Sequence, residues 1–129
     1  MNKFVIDAYA WIEYLNGSEI GKKVKIVIEH PQHEIFTSTI TFSEIIYYLK
    51  RKDTELEEPK KIIMLLSTLV PNSVSLAEEA GTMHAELRKE RKHIGLADTF
   101  VITTARSLNA KIVTGDEDFR GLNDVIMIK

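Results

Sequence analysis

At 129 residues, with 44% hydrophobic and 28% charged side chains, the chain has the size and composition of one globular domain with a sizeable core. A net charge of −2 excludes a protein that holds nucleic acid by bulk positive charge, so any polyanion it handles must meet a local basic patch or bound cations. The absence of cysteine removes disulfides, thiolate zinc sites and thiol nucleophiles, and suits a reducing compartment.

Lys3-Phe-Val-Ile-Asp7 is a short apolar run that closes on an acid and reads as the first, central strand. No leader-like apolar stretch precedes it and no run is long enough to span a bilayer, so a cytoplasmic protein without a membrane partner is expected. Ala10, Trp11, Tyr14 and Leu15 share a helical face, and Asn16-Gly17 stops that helix. Ser18 can cap the next one, whose Ile20, Val24, Val27 and Ile28 line one side while Lys22, Lys23 and Lys25 stay wet. That helix ends by His30-Pro31, because proline disfavours helical geometry in the residue before it.

Glu34-Ile-Phe-Thr-Ser38 reads as the second strand. Thr41 then opens a helix with Ile45, Ile46, Tyr48 and Leu49 inward and Lys50-Arg51-Lys52 at its far end, the polarity a helix dipole favours. After a charged loop, Pro59 fits the first turn of a helix through Ile62, Ile63, Leu65, Leu66 and Leu69. Pro71-Asn72 marks a turn, and Ser73-Val-Ser75 a third, short strand. A helix from Leu76 places Ala80, Met83, His84 and Leu87 on one face and ends in Arg88-Lys-Glu-Arg-Lys-His93. Gly95 precedes a helix from Leu96 to Leu108 whose only charges are Asp98 and Arg106, so burial nearly all round is expected. Lys111-Ile-Val-Thr114 gives a buried strand broken by Gly115, with Asp116 and Asp118 before Phe119 returns to the core. Val125-Ile-Met-Ile128 makes a last strand. Strands alternating with helices predict an α/β fold, a parallel sheet with helices on both faces, formed by residues 1–129 as a single domain.

Four acids invite chemistry, and each also has a structural reading. Asp7 stands where an N-cap belongs, Glu44 follows Thr41 by three residues as in a capping box, Asp98 lies in the first turn of its helix, and Asp116 sits in a turn. Taken together they are harder to explain in that way. Strand-to-helix junctions of a βαβ sheet open on one edge, so Asp7 and Asp116 belong to the same crevice, and Glu44 and Asp98 lie near helix starts that can point there. Asp98 is costly in so apolar a helix unless something neutralises it. Crowded carboxylates repel unless a cation is shared, and oxygen-only ligands favour a hard one, Mg²⁺ or Mn²⁺.

Ser38, Thr114 and Asp118 would support these acids as outer groups or through water, with strand-end turn chemistry the alternative for Ser38 and Thr114. Arg88, Arg91 and Lys92 could grip phosphates beside the site or form a solvated helix end. His30, His33, His84 and His93 have no metal-ligand spacing and read as surface or edge residues. Trp11, Tyr14, Tyr47 and Tyr48 read as core or interface ahead of base-stacking platforms.

Asp7 after Phe-Val-Ile, Thr39-Ile-Thr-Phe-Ser-Glu44, Gly95-Leu-Ala-Asp98 and Thr114-Gly-Asp-Glu-Asp-Phe119 resemble, in order and spacing, the acidic motifs of PIN-domain ribonucleases, nearest in form to VapC-like toxins of toxin–antitoxin pairs. The resemblance spans the chain and implies a three-layer fold with a mainly parallel sheet of about five short strands. It implies an active site of Asp7, Glu44, Asp98 and Asp116, with Asp118 in support, that binds Mg²⁺ or Mn²⁺ and cleaves single-stranded RNA. It also implies a homodimer and a small antitoxin partner. The hydroxyl residue frequent after the first acid of the family is here replaced by Ala8-Tyr9, which touches a substrate or water contact and not the acids. In the expected mechanism a metal and its carboxylates activate a water for in-line attack on phosphorus. Two rivals remain at this level: a catalytically silent PIN-like module that binds RNA or protein, and an Mg²⁺-dependent α/β phosphatase or phosphotransferase, for which the lysine and hydroxyl partners are poorly placed.

Overall fold

The computed structural model describes residues 2–129. Its elements follow as β1 (Lys3–Ile6), α1 (Ala8–Asn16), α2 (Glu19–Ile28), β2 (Glu34–Ser38), α3 (Thr39–Arg51), α4 (Glu57–Leu66), β3 (Thr68–Val70), α5 (Val74–Leu87), α6 (Leu96–Leu108), β4 (Lys111–Thr114), a 3₁₀ turn (Glu117–Phe119) and β5 (Val125–Met127). The five strands lie in the order β3-β2-β1-β4-β5, and the pairings are all parallel. From β1 the chain winds outward through β2 and β3, then returns to the other side of β1 to lay down β4 and β5. The direction of winding therefore reverses between β1 and β4, the place where open α/β sheets form a crevice at their carboxyl edge.

Alternation along the short central strands divides the core into two layers. Phe4 and Ile6 of β1, with Val113, face a cluster built with Trp11, Val24, Ile28, Ile45, Leu49 and Ile63 from α1 to α4. Val5 and Ile112 face the opposite cluster, where Val101, Ile102 and Ala105 of α6 pack with Met83 and Leu87 of α5. The result is three layers, as the resemblance implies. One polar thread fixes the first layer: Trp11 Nε1 donates to Thr37 Oγ1 at 3.0 Å, Thr37 Oγ1 lies 2.8 Å from Ser67 Oγ, and Ser67 Oγ donates to the Ile63 carbonyl at 2.7 Å. It ties α1, β2 and α4 together without leaving a buried polar atom unpaired along it.

Several local expectations are corrected. The third strand is Thr68–Val70, paired with Phe36–Ser38, and not Ser73–Ser75. Leu69 consequently belongs to β3 and not to α4, which stops at Leu66 because Ser67 turns extended. Ser73 instead caps α5, its hydroxyl accepting from the Leu76 N–H at 3.1 Å, and Val74 is 88% exposed. The helix expected from Thr41 begins at Thr39, directly off β2, with Ser38 as its cap. Ser38 is the first hydroxyl at the strand end and takes the Ile40 N–H at 3.3 Å, so the Thr41–Glu44 capping box does not form. Leu65 is 85% exposed, leaving Ile63 the buried residue of α4. Burial of α6 is complete from Val101 to Ala105, while its first turn opens toward the crevice with Leu96 exposed. Trp11 is fully buried, and Tyr47 projects from α3.

Candidate active site

Each acid reaches the crevice by a different local rule. Asp7 follows β1, and its N–H donates to the Val113 carbonyl at 3.0 Å, which extends the β1–β4 ladder by one residue and sets Asp7 beside Thr114. It occupies the N-cap position of α1 without making a side-chain capping bond. Its carboxylate is buried and accepts instead from Thr114 Oγ1 at 2.8 Å. Thr114 is wholly buried and takes the Asp116 N–H on the same oxygen at 3.0 Å. One hydroxyl thus joins the ends of β1 and β4. Asp116 then caps the 3₁₀ turn, accepting from the Asp118 N–H at 2.9 Å. The close fit of β4 to α1 requires glycine at 115, where an added Cβ would collide with the Tyr9 ring. From the second layer, Asp98 stands in the first turn of α6 and accepts from the Gly95 N–H at 3.0 Å. Glu44 comes from the second turn of α3 and is half-buried.

Ligand oxygens of Asp98, Asp116 and Asp118 lie within 4.8 Å of one another. Two oxygens on a cation held at about 2.1 Å are at most about 4.2 Å apart, so closure by less than about 1 Å would let the three share one. The donor set is carboxylate only, which suits a hard divalent ion. Asp7 and Glu44 lie outside this trio yet within its electric field. Burial, then the charges of Asp98 and Glu44, carry the Asp7 pKa from 3.8 to about 7 against the opposing bond from Thr114. Burial, then Asp98 and Asp116, hold Glu44 above its ordinary range. Asp98 is raised by burial, then by Asp116 and Asp118, with the Gly95 N–H and His84 opposing. Among the described residues, the ion pairs are all exposed i,i+3 contacts, and none includes any of these five carboxylates.

The structure therefore brings together all five sequence-predicted acids, with Asp118 inside the closest trio and not at its margin. Thr114 supports them directly. Ser38 is buried and committed to α3, with Asn72 at 3.5 Å, and makes no hydrogen bond to the acids among the described residues. Arg88 and Lys92 are exposed, whereas Arg91 Nη1 is spent on backbone carbonyls of Asp118 and Arg120. Two neighbours escaped sequence reasoning. His84 Nδ1 sits 2.8 Å from Thr99 Oγ1, beside Asp98, although its helical face gives no sign of this. Tyr9 covers Gly115, with Lys129 Nζ 5.6 Å from its ring centroid. A surface groove of about 670 Å³ runs along α5 past Glu78, Met83 and Arg106 and is lined by none of the five site carboxylates.

An all-parallel sheet with acids at its switch point defines a class, the acidic-site α/β domains, and comparison narrows it. The PIN domain profile matches residues 4–125, and the chain belongs to the PIN domain family. Solved structures with the same fold include a toxin–antitoxin complex from Klebsiella pneumoniae, 23% identical over 97% of each chain with a TM-score of 0.72. VapC20 of Mycobacterium tuberculosis, described as a sarcin–ricin loop cleaving toxin, is 16% identical over 95% of this chain and 96% of its own, with a TM-score of 0.75. DNA-bound VapBC from Salmonella typhimurium is 19% identical over the full length of both chains, with a TM-score of 0.70. At these identities the likeness is one of fold. None of the curated proteins compared with the chain matches it significantly. No helix among the described residues is long and apolar enough to cross a membrane.

Proposed function

We propose that residues 1–129 form one metal-dependent endoribonuclease domain that cleaves single-stranded RNA, the toxin of a toxin–antitoxin pair. The observation that carries this reading is the set of five carboxylates gathered at the β1–β4 switch point with no cationic side chain paired to any of them among the described residues. Membership of the PIN family and a fold shared with toxins of toxin–antitoxin complexes support it. Asp98, Asp116 and Asp118 would hold Mg²⁺ or Mn²⁺, with Asp7 and Glu44 completing the charge around it. A cation held there would supply positive charge for the phosphodiester and would acidify a water. The protein's own groups do the rest. Thr114 Oγ1 fixes the Asp7 carboxylate and the Asp116 backbone in register, and the start of α3 at Ser38 sets Glu44 against them. Arg88 and Lys92, both exposed, would meet RNA phosphates. A small antitoxin and a second copy of this chain complete the assembly, the exposed Tyr47 of α3 being one apolar group available for contact.

The test is cleavage of a defined single-stranded RNA with Mg²⁺, Mn²⁺ or chelator, beside Asp98→Asn and Asp116→Asn. The expected result is a rate loss of roughly a hundredfold or more in each variant, with under about 1 kcal/mol lost in stability. Undiminished cleavage in chelator removes the metal. Near wild-type rates in both variants remove the nuclease reading.

A further inference from the structure

We infer that Arg91 is a positioning residue, a guanidinium latch that holds the loop carrying Asp116 and Asp118 close to the spacing a divalent cation needs; the inference rests on the metal reading above. Arg91 lies in the turn between α5 and α6. Its N–H bonds to the Leu87 carbonyl at 2.8 Å, its own carbonyl accepts from Ile94, and Leu87 and Ile94 are anchored in the core layer beneath α6. From this fixed base Nη1 donates to the carbonyl of Asp118 at 3.0 Å and to that of Arg120 at 2.8 Å. These bonds cross 27 and 29 residues of sequence. The guanidinium packs against Gly121, where an added Cβ would stand 3.3 Å from Nη2.

The bonded segment is the exit of the 3₁₀ turn. Its entrance is held by Asp116 capping the Asp118 N–H, and its last residue, Phe119, is fully buried. Without Arg91, the Asp118 and Arg120 carbonyls lose this partner, and the exit is free to swing with the Asp118 carboxylate. The turn between α5 and α6 that carries Arg91 itself leads directly into Gly95 and Asp98. Arg91 thus couples the two segments that supply the trio, and both bonds leave Nη1, whose two N–H groups are fixed in the guanidinium plane where the donors of a lysine ammonium rotate on a flexible stem. A basic residue in a Lys- and Arg-rich turn beside a nuclease site invites the reading of a phosphate grip. The geometry gives Arg91 to the loop, while Arg88 and Lys92 stay exposed.

Partners that orient ligands cost about 10- to 100-fold in metal affinity when removed. The experiment is a Mn²⁺ titration of the full chain, followed by calorimetry, for wild type, Arg91→Ala and Arg91→Lys. Hydrogen exchange of the metal-free proteins and RNA cleavage at saturating Mn²⁺ accompany it. Arg91→Ala is expected to raise the Mn²⁺ midpoint about 10- to 100-fold. It should also speed exchange in residues 116–122 while leaving β1 and α1 unchanged. Arg91→Lys, which keeps the charge and covers the case in which alanine fails to fold, should raise the midpoint by roughly threefold or more. A folded variant with a wild-type midpoint overturns the latch. A raised KM with an unchanged midpoint and a shallower salt dependence also overturns it, and makes Arg91 a phosphate contact. If wild type itself takes up no Mn²⁺, the metal reading fails and the latch with it.

Discussion

Replacing Asp7 by Asn should make the metal-free protein more stable, and the gain should grow with pH. A buried acid whose pKa rises from 3.8 to about 7 binds more protons in the folded chain than in the unfolded one across that window. Its stabilising effect is full below about pH 4 and is lost as pH climbs through about 7. At 1.36 kcal/mol per unit, the ionised carboxylate costs the fold on the order of 4 kcal/mol by pH 8. Asn keeps an oxygen that can accept from Thr114 Oγ1 and cannot ionise. Urea unfolding in chelator at pH 8 should therefore find Asp7→Asn more stable by roughly 2–4 kcal/mol, with more than half of the advantage gone by pH 5. Millimolar Mn²⁺ should narrow or reverse the difference at pH 8, since a cation at the trio stabilises the protein with the added negative charge of Asp7 more than the variant without it. An Asp7→Asn protein no more stable than wild type at pH 8, or equally advantaged at pH 5, would refute the account of Asp7 as an uncompensated buried acid.

Thr114→Val removes the donor to Asp7 and the acceptor of the Asp116 N–H, so chemical denaturation should report a loss of about 1–3 kcal/mol, and the Asp7 titration should move upward in carboxyl NMR because its opposing bond is gone. Gly115→Ala drives a methyl into the Tyr9 ring and should cost about 1–3 kcal/mol; in a double-mutant cycle most of that cost should vanish when Tyr9 is also made Ala, and an unchanged cost would place the strain elsewhere.

Most of the fold was legible because local and global signals agree. The boundaries of α1, α2, β2, α6 and β4 follow from stop signals, caps and apolar runs that the sheet does not overrule. The failures cluster where one side chain could serve two elements. Ser73-Val-Ser75 has a strand's alternation over three residues, but a strand exists by pairing, and the partner positions on β2 go to Thr68–Val70. Thr41 and Ser38 are both good caps, and only the absence of a loop after β2 decides for Ser38. Leu65 looks like core in a run of apolar residues, yet α4 offers the sheet a narrow stripe and leaves Leu65 in solvent. Nothing within four residues of these positions records such choices.

The candidate site was legible in its carboxylates and less so in its wiring, for a physical reason. Reading each acid as either a cap or a ligand sets up a choice the chemistry does not require, because a carboxylate has two oxygens. Asp116 caps the Asp118 N–H and still belongs to the trio; Asp98 accepts from Gly95 and does the same. The capping bond restrains the rotation of the carboxylate and so aims it. Asp7 is the exception, standing at a helix start without capping it, and its burial is the largest departure from a surface cap. What the sequence hid are the distant partners, Arg91 across 27 residues and His84 across 15, since no local pattern encodes which side chain a loop carbonyl or a buried hydroxyl will meet. It follows that Asn at 98 or 116, by keeping the capping oxygen and removing only the charge, separates the two roles within one residue. A rate loss there without a stability loss isolates the carboxylate charge from the cap.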